Sequence, residues 1–363
     1  MSRLDELLRY VVEVDASDLH LKVGNPPIIR LLNDLKRLDQ PAFTESELEN
    51  TLFEILNDER KQQLMEFREL DLSYAIEGLA RFRVNYYWHR GTVAACFRLI
   101  PFKIKTIDEL KVPAVTKKLS MLPRGLIIVT GPTGSGKSTT LAAMIDHINE
   151  NSEKHIITIE DPIEYVHTDK MSIINQRERG VDTHSFADAL RHVMRQNPDV
   201  ILVGEMRDLE TIQLAITAAE TGHLVLSTLH TVDAAQTIDR MVDVFEPDQQ
   251  EQIRTQVSVT LQAVISQQLL QTADGKDRVA AFEILVATPA VRTLVRDGKT
   301  HQLYMDIQTG AQYGMQTLDA SLISLVERGL ITYESALAKS SNPIEFRRRA
   351  ESHGIVEEAV ATN

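Results

Sequence analysis

Gly131, Gly134, Gly136, Lys137 and Ser138 stand in the run Gly131-Pro132-Thr133-Gly134-Ser135-Gly136-Lys137-Ser138-Thr139. The spacing is G-x-x-x-x-G-K-[ST], and residues of these types at that spacing hold phosphate. The glycines let the backbone curl so that its N–H groups point inward with no Cβ in the way. A helix beginning behind the loop adds the positive end of its dipole. Lys137 can then reach β- and γ-phosphates, and the Ser138 hydroxyl can meet Mg²⁺. The run from Gly131 to Thr139 is expected to cradle a nucleoside triphosphate.

Hydrolysis also needs carboxylates to hold a metal ion and orient water. Ile157-Thr-Ile-Glu-Asp-Pro-Ile-Glu164 offers Glu160, Asp161 and Glu164, and Val200-Ile-Leu-Val-Gly-Glu205 offers Glu205 in a Walker B-like position. Ser138, Glu205 and Glu160 are the candidate Mg²⁺ ligands. Any one of these acids also suits a plain strand end, but two acidic strand ends after one phosphate loop are a stronger pattern. His223 and His230 bracket the apolar run Leu224–Leu229, with His230 at the end where a γ-phosphate sensor would stand. Their separation is not a metal-ligand spacing, and by spacing alone both read as hydrogen-bonded interior histidines. Arg81 and Arg83 share one face of a strand pattern, and Arg98 lies on another strand of that domain. These arginines are either a solvated sheet face or groups that reach phosphate in a neighbouring subunit, and Arg207 is a further candidate. The pattern does not choose between them.

The elements that position these residues follow from periodicity. Leu126-Ile127-Ile128-Val129 reads as a buried parallel strand, and Leu141, Met144, Ile145 and Ile148 mark an amphipathic helix after the loop. Alternating strands and helices from His155 to Leu229 predict a parallel sheet covered on both faces. Before it, a helix at Ser2–Val14, strand-like pieces at 19–23 and 28–32, a capping-box helix from Thr44 and three strands between Asp71 and Ile100 predict a small α+β domain. The expected divisions are 1–100, a connector at 101–123, a core at 124–281, a helical region at 282–351 and a frayed tail at 352–363.

A formal net charge of −13 gives no global footprint for nucleic acid. One cysteine, Cys96, rules out an intrachain disulfide framework and a multi-cysteine zinc site. No apolar run approaches membrane-spanning length, and MSRLDELLRY lacks the apolar core of a signal peptide. A cytoplasmic protein that meets a membrane only through partners is expected.

Taken together, these motifs resemble the secretion-superfamily ATPases, and within them the pilus retraction ATPases, the PilT family. GPTGSGKSTTLAAMID resembles the family's Walker A, ITIEDPIEYVH (157–167) its aspartate box, and NPDVILVGEMRDLETIQLAITAAETGHLVLSTLHT (197–231) its Walker B and histidine box. The resemblance implies a PAS-like N-terminal domain, a RecA-like P-loop core, a homo-hexamer with ATP and Mg²⁺ at subunit interfaces, and an inner-membrane pilus platform protein as partner. It also implies histidine-box roles for His223 and His230 and favours Glu164 and Glu205 as the carboxylates acting on water and Mg²⁺. AVRTL at 290–294 is similar to the AIRNL segment of retraction ATPases, with Val291 for Ile and Thr293 for Asn. Extension, secretion or accessory ATPases of the superfamily are the alternatives, and a RecA-like nucleic-acid motor is one from another class.

Overall fold

The computed structural model describes residues 2–31, 34–76, 78–100 and 104–355. Residues 101–103 of the expected connector, Leu32 at the end of an expected strand, and the expected tail from 356 onward lie outside the described residues. The chain forms two compact units: one holds the described residues up to 100 together with Glu164–Val166, and the other holds the remainder from Ile104.

The N-terminal unit is an antiparallel sheet with helices. Its strands are β1 (Asp18–Leu21), β2 (Ile28–Leu31), β3 (Asp34–Arg37), β4 (Glu69–Ile76), β5 (Ala80–His89) and β6 (Thr92–Ile100), in the order β3-β2-β1-β6-β5-β4. Ser2 caps the first helix by accepting from the Asp5 N–H, and Thr44 with Glu47 forms the expected capping box. Alternation sends Phe82, Val84 and Tyr86 into a core with Leu4, Leu8, Leu48 and Leu52. The Tyr86 hydroxyl donates to the Leu52 carbonyl at 2.8 Å, which satisfies its one buried polar atom. Cys96 is half-buried, and burial pushes its thiol up.

The second unit is built on a seven-stranded sheet. Its strands are β7 (Gly125–Thr130), β8 (His155–Glu160), β9 (Ile173–Glu178), β10 (Val200–Val203), β11 (Leu224–Leu229), β12 (Leu261–Gln271) and β13 (Arg278–Val286). They lie in the order β13-β12-β7-β11-β10-β8-β9. The sheet is mixed rather than wholly parallel: β12 pairs parallel with β7 but antiparallel with β13. That hairpin was not read from the sequence, because Ser266-Gln267-Gln268 interrupts the apolar pattern of β12. An Asp-Gly turn signal was present at Asp274-Gly275, where Gly275 takes φ +71° and Asp274 Oδ1 accepts from Thr272 and Lys276. The expected core boundary at 281 falls inside β13.

Both faces of the sheet are covered. Leu126 and Ile128 enter one apolar cluster, with Ile212, Ile216 and Ile238, while Ile127 and Val129 enter another, with Met144, Ile145 and Ile148. Double burial explains the continuous β-branched run of β7. Helices Pro289–Arg296, Leu318–Glu327 and Tyr333–Leu337 fall within the stretch expected to be helical, and Leu322, Ile331 and Phe346 pack on Leu270 and Ala281. Ile128 is fully buried beside the phosphate loop. Ile128→Ala is expected to destabilise this unit by about 2–5 kcal/mol, read as a lowered denaturant midpoint for its unfolding; an unchanged midpoint would contradict the packing described.

Candidate active site

The loop from Gly131 to Gly136 joins β7 to helix Lys137–Asn151. Gly136 caps the helix at φ +90°, and Gly134 takes φ +78°, conformations that L side chains rarely adopt. Gly131 has φ +141°, and a Cβ there would lie 2.2 Å from the Gln267 carbonyl oxygen, so only glycine lets β12 approach this closely. Lys137 is 9% exposed, and its Nζ donates to the carbonyls of Gly131 at 2.9 Å and Pro132 at 3.1 Å. Its charge is thus held over the mouth of the loop where phosphate would lie. Ser138 and Thr139 follow in the helix's first turn. The Ser135 Oγ is buried without a hydrogen-bond partner, a polar atom the loop itself does not satisfy.

Glu205 follows β10 and Gly204. Its Oε1 is 3.0 Å from His230 Nε2 and its Oε2 is 2.8 Å from an Arg207 guanidinium nitrogen. The hydrogen bond from Arg207 raises the arginine's pKa, so its charge is fixed. Ser227 and Thr228 on β11 donate to the carbonyls of Val203 and Gly204 at 2.7 and 2.6 Å, fastening the carboxylate's strand end to the strand that carries His230. Three candidates, Glu205, Arg207 and His230, therefore form one charged cluster. His223 stands at the start of the same strand, about 20 Å away at roughly 3.3 Å per residue. Its Nδ1 lies 2.9 Å from the Ala218 carbonyl and its own carbonyl accepts from Gly125.

At the end of β8, Glu160 Oε1 accepts from Thr158 Oγ1 at 2.6 Å and from Gln176 Nε2 at 3.0 Å. Strand β9 and the residue after it brace the acidic box at the end of β8. Gln176 Oε1 accepts from the His167 N–H, Glu178 from the Ile163 N–H, and Arg179 pairs with Asp161 at 2.7 Å. Burial pushes His167 down to about 4, so it is neutral at pH 7. Glu164 is exposed and belongs to the segment grouped with the N-terminal unit. On that unit's sheet, Arg83 faces Arg98 across β5 and β6, Arg98 faces Asp18, and Asp18 faces Arg30. Burial would raise Asp18, but hydrogen bonds from Ser17 and Arg98 outweigh it and hold its carboxyl low. Arg98 Nε reaches Asp18 at 2.9 Å and Arg30 Nε at 3.5 Å. Arg83 and Arg98 are exposed in this row, and Arg98 feels the charge of Glu164 as well as that of Asp18. Arg81 lies along β5 on the same face.

A family model described as Type II/IV secretion system protein matches residues 101–294. The type IV pilus retractation ATPase PilT of Pseudomonas aeruginosa is 51% identical over 343 residues, 94% of this chain and 99% of that protein. The chain belongs to the PilT family. A crystal structure of the pilus retraction motor PilT with bound ADP superposes with a TM-score of 0.90 at 47% identity, covering 96% of this chain and 99% of that one. The type IV pilus ATPase PilU of P. aeruginosa is 40% identical, over 94% of this chain and 90% of that protein.

Within this PilT-family chain, the AVRTL helix is more than an amphipathic surface element. Arg292 donates to the carbonyls of Ser258 and Val259, both at 2.7 Å, and to Gln262 Oε1 at 3.1 Å. Gln262 is the bulged residue of β12, and its side chain fills the space that a Cβ on Gly125 would occupy. Sequence reasoning missed the residues that brace the loops. Gln267 donates to the Ser135 carbonyl at 2.5 Å and accepts from Thr140 Oγ1 at 2.8 Å, while Thr130 Oγ1 donates to Ser266 Oγ at 2.9 Å. Their signal was a polar triplet inside an apolar run. For Gln176, Glu178 and Arg179 the signal was weaker, since β9 reads as polar loop after Ile173-Ile174.

Gln267→Ala removes two hydrogen bonds of about 0.5–1.5 kcal/mol each from the phosphate loop. ATP affinity measured by titration is expected to fall by roughly tenfold, since about 1.4 kcal/mol corresponds to that factor. Unchanged affinity would show that β12 does not shape the loop.

Proposed function

We propose that this chain is the ATP-hydrolysing motor of type IV pilus retraction. The observation that carries the reading is the Glu205–His230 pair at 3.0 Å, fastened to the strand beside a complete phosphate loop in a PilT-family chain. In this reading the loop's N–H groups and the helix N-terminus take the phosphates, and Lys137 moves from the loop carbonyls to the β- and γ-phosphate oxygens. Glu205 polarises the attacking water, His230 holds the carboxylate and senses the γ-phosphate, and Glu164 supplies a second carboxylate. His223, remote along its strand, supports the strand's other end.

The donors present suit Mg²⁺. They are hard oxygens, and among the described residues no cluster of three His, Cys, Asp or Glu side chains could hold a metal alone. That set matches an ion held chiefly by phosphate and water, with Ser138 and Glu205 contributing and Glu160 behind them. When bound, it would neutralise charge developing on the phosphates.

We further propose a homo-hexamer in which Arg81, Arg83, Arg98 and Arg207 serve the nucleotide across a subunit boundary. Exposed guanidiniums at Arg83 and Arg98 on one sheet face are what such a contact needs. Work would pass to an inner-membrane pilus platform protein, with the motor on the cytoplasmic side; no helix among the described residues is long and apolar enough to cross a membrane. Retraction is favoured over an accessory role by the higher identity to PilT than to PilU.

Lys137→Ala is expected to abolish ATP turnover while its far-UV circular dichroism stays that of the wild type. Retained turnover would remove the loop from the mechanism. In a host carrying only this variant, more surface pili with lost twitching supports retraction. Bald cells would instead mean an extension or secretion motor, and normal pili with normal motility an accessory one.

A further inference from the structure

Glu283 is 4% exposed on β13, and no role above uses it. Its Oε1 accepts from the Ala234 N–H at 2.9 Å. Ala234 opens helix Ala234–Asp243, and only Thr231–Asp233 separates it from His230. The helix closes that turn from its own side. Asp233 accepts from the Gln236 backbone and side chain at 2.8 and 2.9 Å, and Thr237 donates to the Asp233 carbonyl at 2.6 Å and meets Thr231 Oγ1 at 2.7 Å. Glu283 ties the turn from the sheet side.

The strand around Glu283 is gripped by the C-terminal helical region. The Phe282 N–H donates to Ser321 Oγ at 3.1 Å, its carbonyl accepts from the Gln316 side chain at 3.0 Å, and Ile284 exchanges both backbone hydrogen bonds with Gln316. Across the ladder, Glu283 faces Ser266, which accepts from Thr130 just before the phosphate loop.

We propose that Glu283 is a positioning residue: by holding the first N–H of helix Ala234–Asp243 it fixes the turn that sets His230 against Glu205, and it joins that turn to the strand gripped by the C-terminal helices. The inference rests on reading Glu205 and His230 as the turnover centre.

An apolar side chain would fill the same space at lower cost. Burial pushes the Glu283 carboxyl up to about 7, with Asp233 and Asp319 adding repulsion. Tyr304, from helix Leu303–Thr309, feels the charge of Glu283 as well. The folded pKa lies above the ordinary glutamate value of 4.5, so the stability Glu283 contributes is fully present below 4.5 and is lost as pH rises through about 7. What the carboxyl supplies in return is an acceptor at a helix N-terminus, where a carboxylate is favoured by the helix dipole.

The test uses the full chain, with Glu283→Gln and Glu283→Ala compared by hydrogen-exchange mass spectrometry over residues 231–237 and by ATP turnover. Glu283→Gln keeps the acceptor, so exchange and kcat are expected to stay near wild type, while the fall in stability between pH 4.5 and 7 flattens. Glu283→Ala is expected to speed exchange about tenfold, the worth of one lost hydrogen bond. Its kcat should drop by about 10- to 100-fold, with the KM for ATP little changed because the phosphate loop is untouched. Glu283→Met carries the same arm if the alanine variant does not fold. Unchanged exchange in the Ala or Met variant overturns the proposal, as does a Gln variant that fails as badly as Met. Faster exchange with unchanged kcat also overturns it. A parallel His230→Ala variant then shows whether the reading of the turnover centre fails too, by keeping normal turnover, or only the link from Glu283.

Discussion

The close approach of β12 to the phosphate loop is the constraint on which the rest of the second unit depends. The Gln267 carbonyl occupies the place of a Gly131 side chain, and the Gln267 amide spans Ser135 and Thr140. A phosphate loop must present several N–H groups at once, and each is useful only if the backbone is held before the anion arrives. Here the holding is done from the neighbouring strand. The loop's own glycines provide freedom, and β12 removes it again. Lys137 is folded onto the loop carbonyls, which compensates its burial.

Charge is distributed by the same logic. Glu205 sits at the end of a short strand whose four residues are all buried, and it is stabilised by one exposed arginine and one histidine. A half-exposed ion pair contributes little to stability, so these partners are held loosely. Asp18 shows the opposite arrangement. It is 3% exposed, surrounded by donors and locked, and it makes the arginine row rigid rather than responsive.

What the sequence revealed and what it hid divide along a physical line. The strand-loop-helix around residues 131–138 and the strand-end positions of Glu205 and His230 were legible because those elements are consecutive and local periodicity places them directly; a role for His230 came only from the family resemblance. The helix starts at Ser2 and Thr44 were legible for the same reason: each cap acts within three residues of itself. Gln267 reaches across more than a hundred residues of chain, and Gln176 and Glu178 act on a box that precedes them. Their importance comes from β12 lying beside β7 and β9 beside β8, pairings that no local pattern encodes. The parallel core expected from the βα alternation was right for the strands read, and the antiparallel hairpin was missed because polar bracing residues broke the apolar run. The residues that obscured β12 as a strand are therefore those that make it part of the site.

Strand β12 thus carries polar residues with two separate duties. Gln262, at the bulge, packs over Gly125 at the start of β7 and is held by Arg292 from the AVRTL helix. Gln267, five residues on, holds the loop at the other end of β7. A strand interior packs rigidly and transmits displacement rather than absorbing it. Both ends of the phosphate-loop strand are therefore gripped by one neighbour, and that neighbour is gripped in turn by the region that follows the core. Burial lowers the Arg292 pKa, yet its three acceptors keep the guanidinium oriented along the end of helix Gln250–Thr260. A charge placed there also complements the negative end of that helix. The AVRTL segment is consequently tied to the phosphate loop through β12, by hydrogen bonds from Arg292 at the bulge and from Gln267 at the loop.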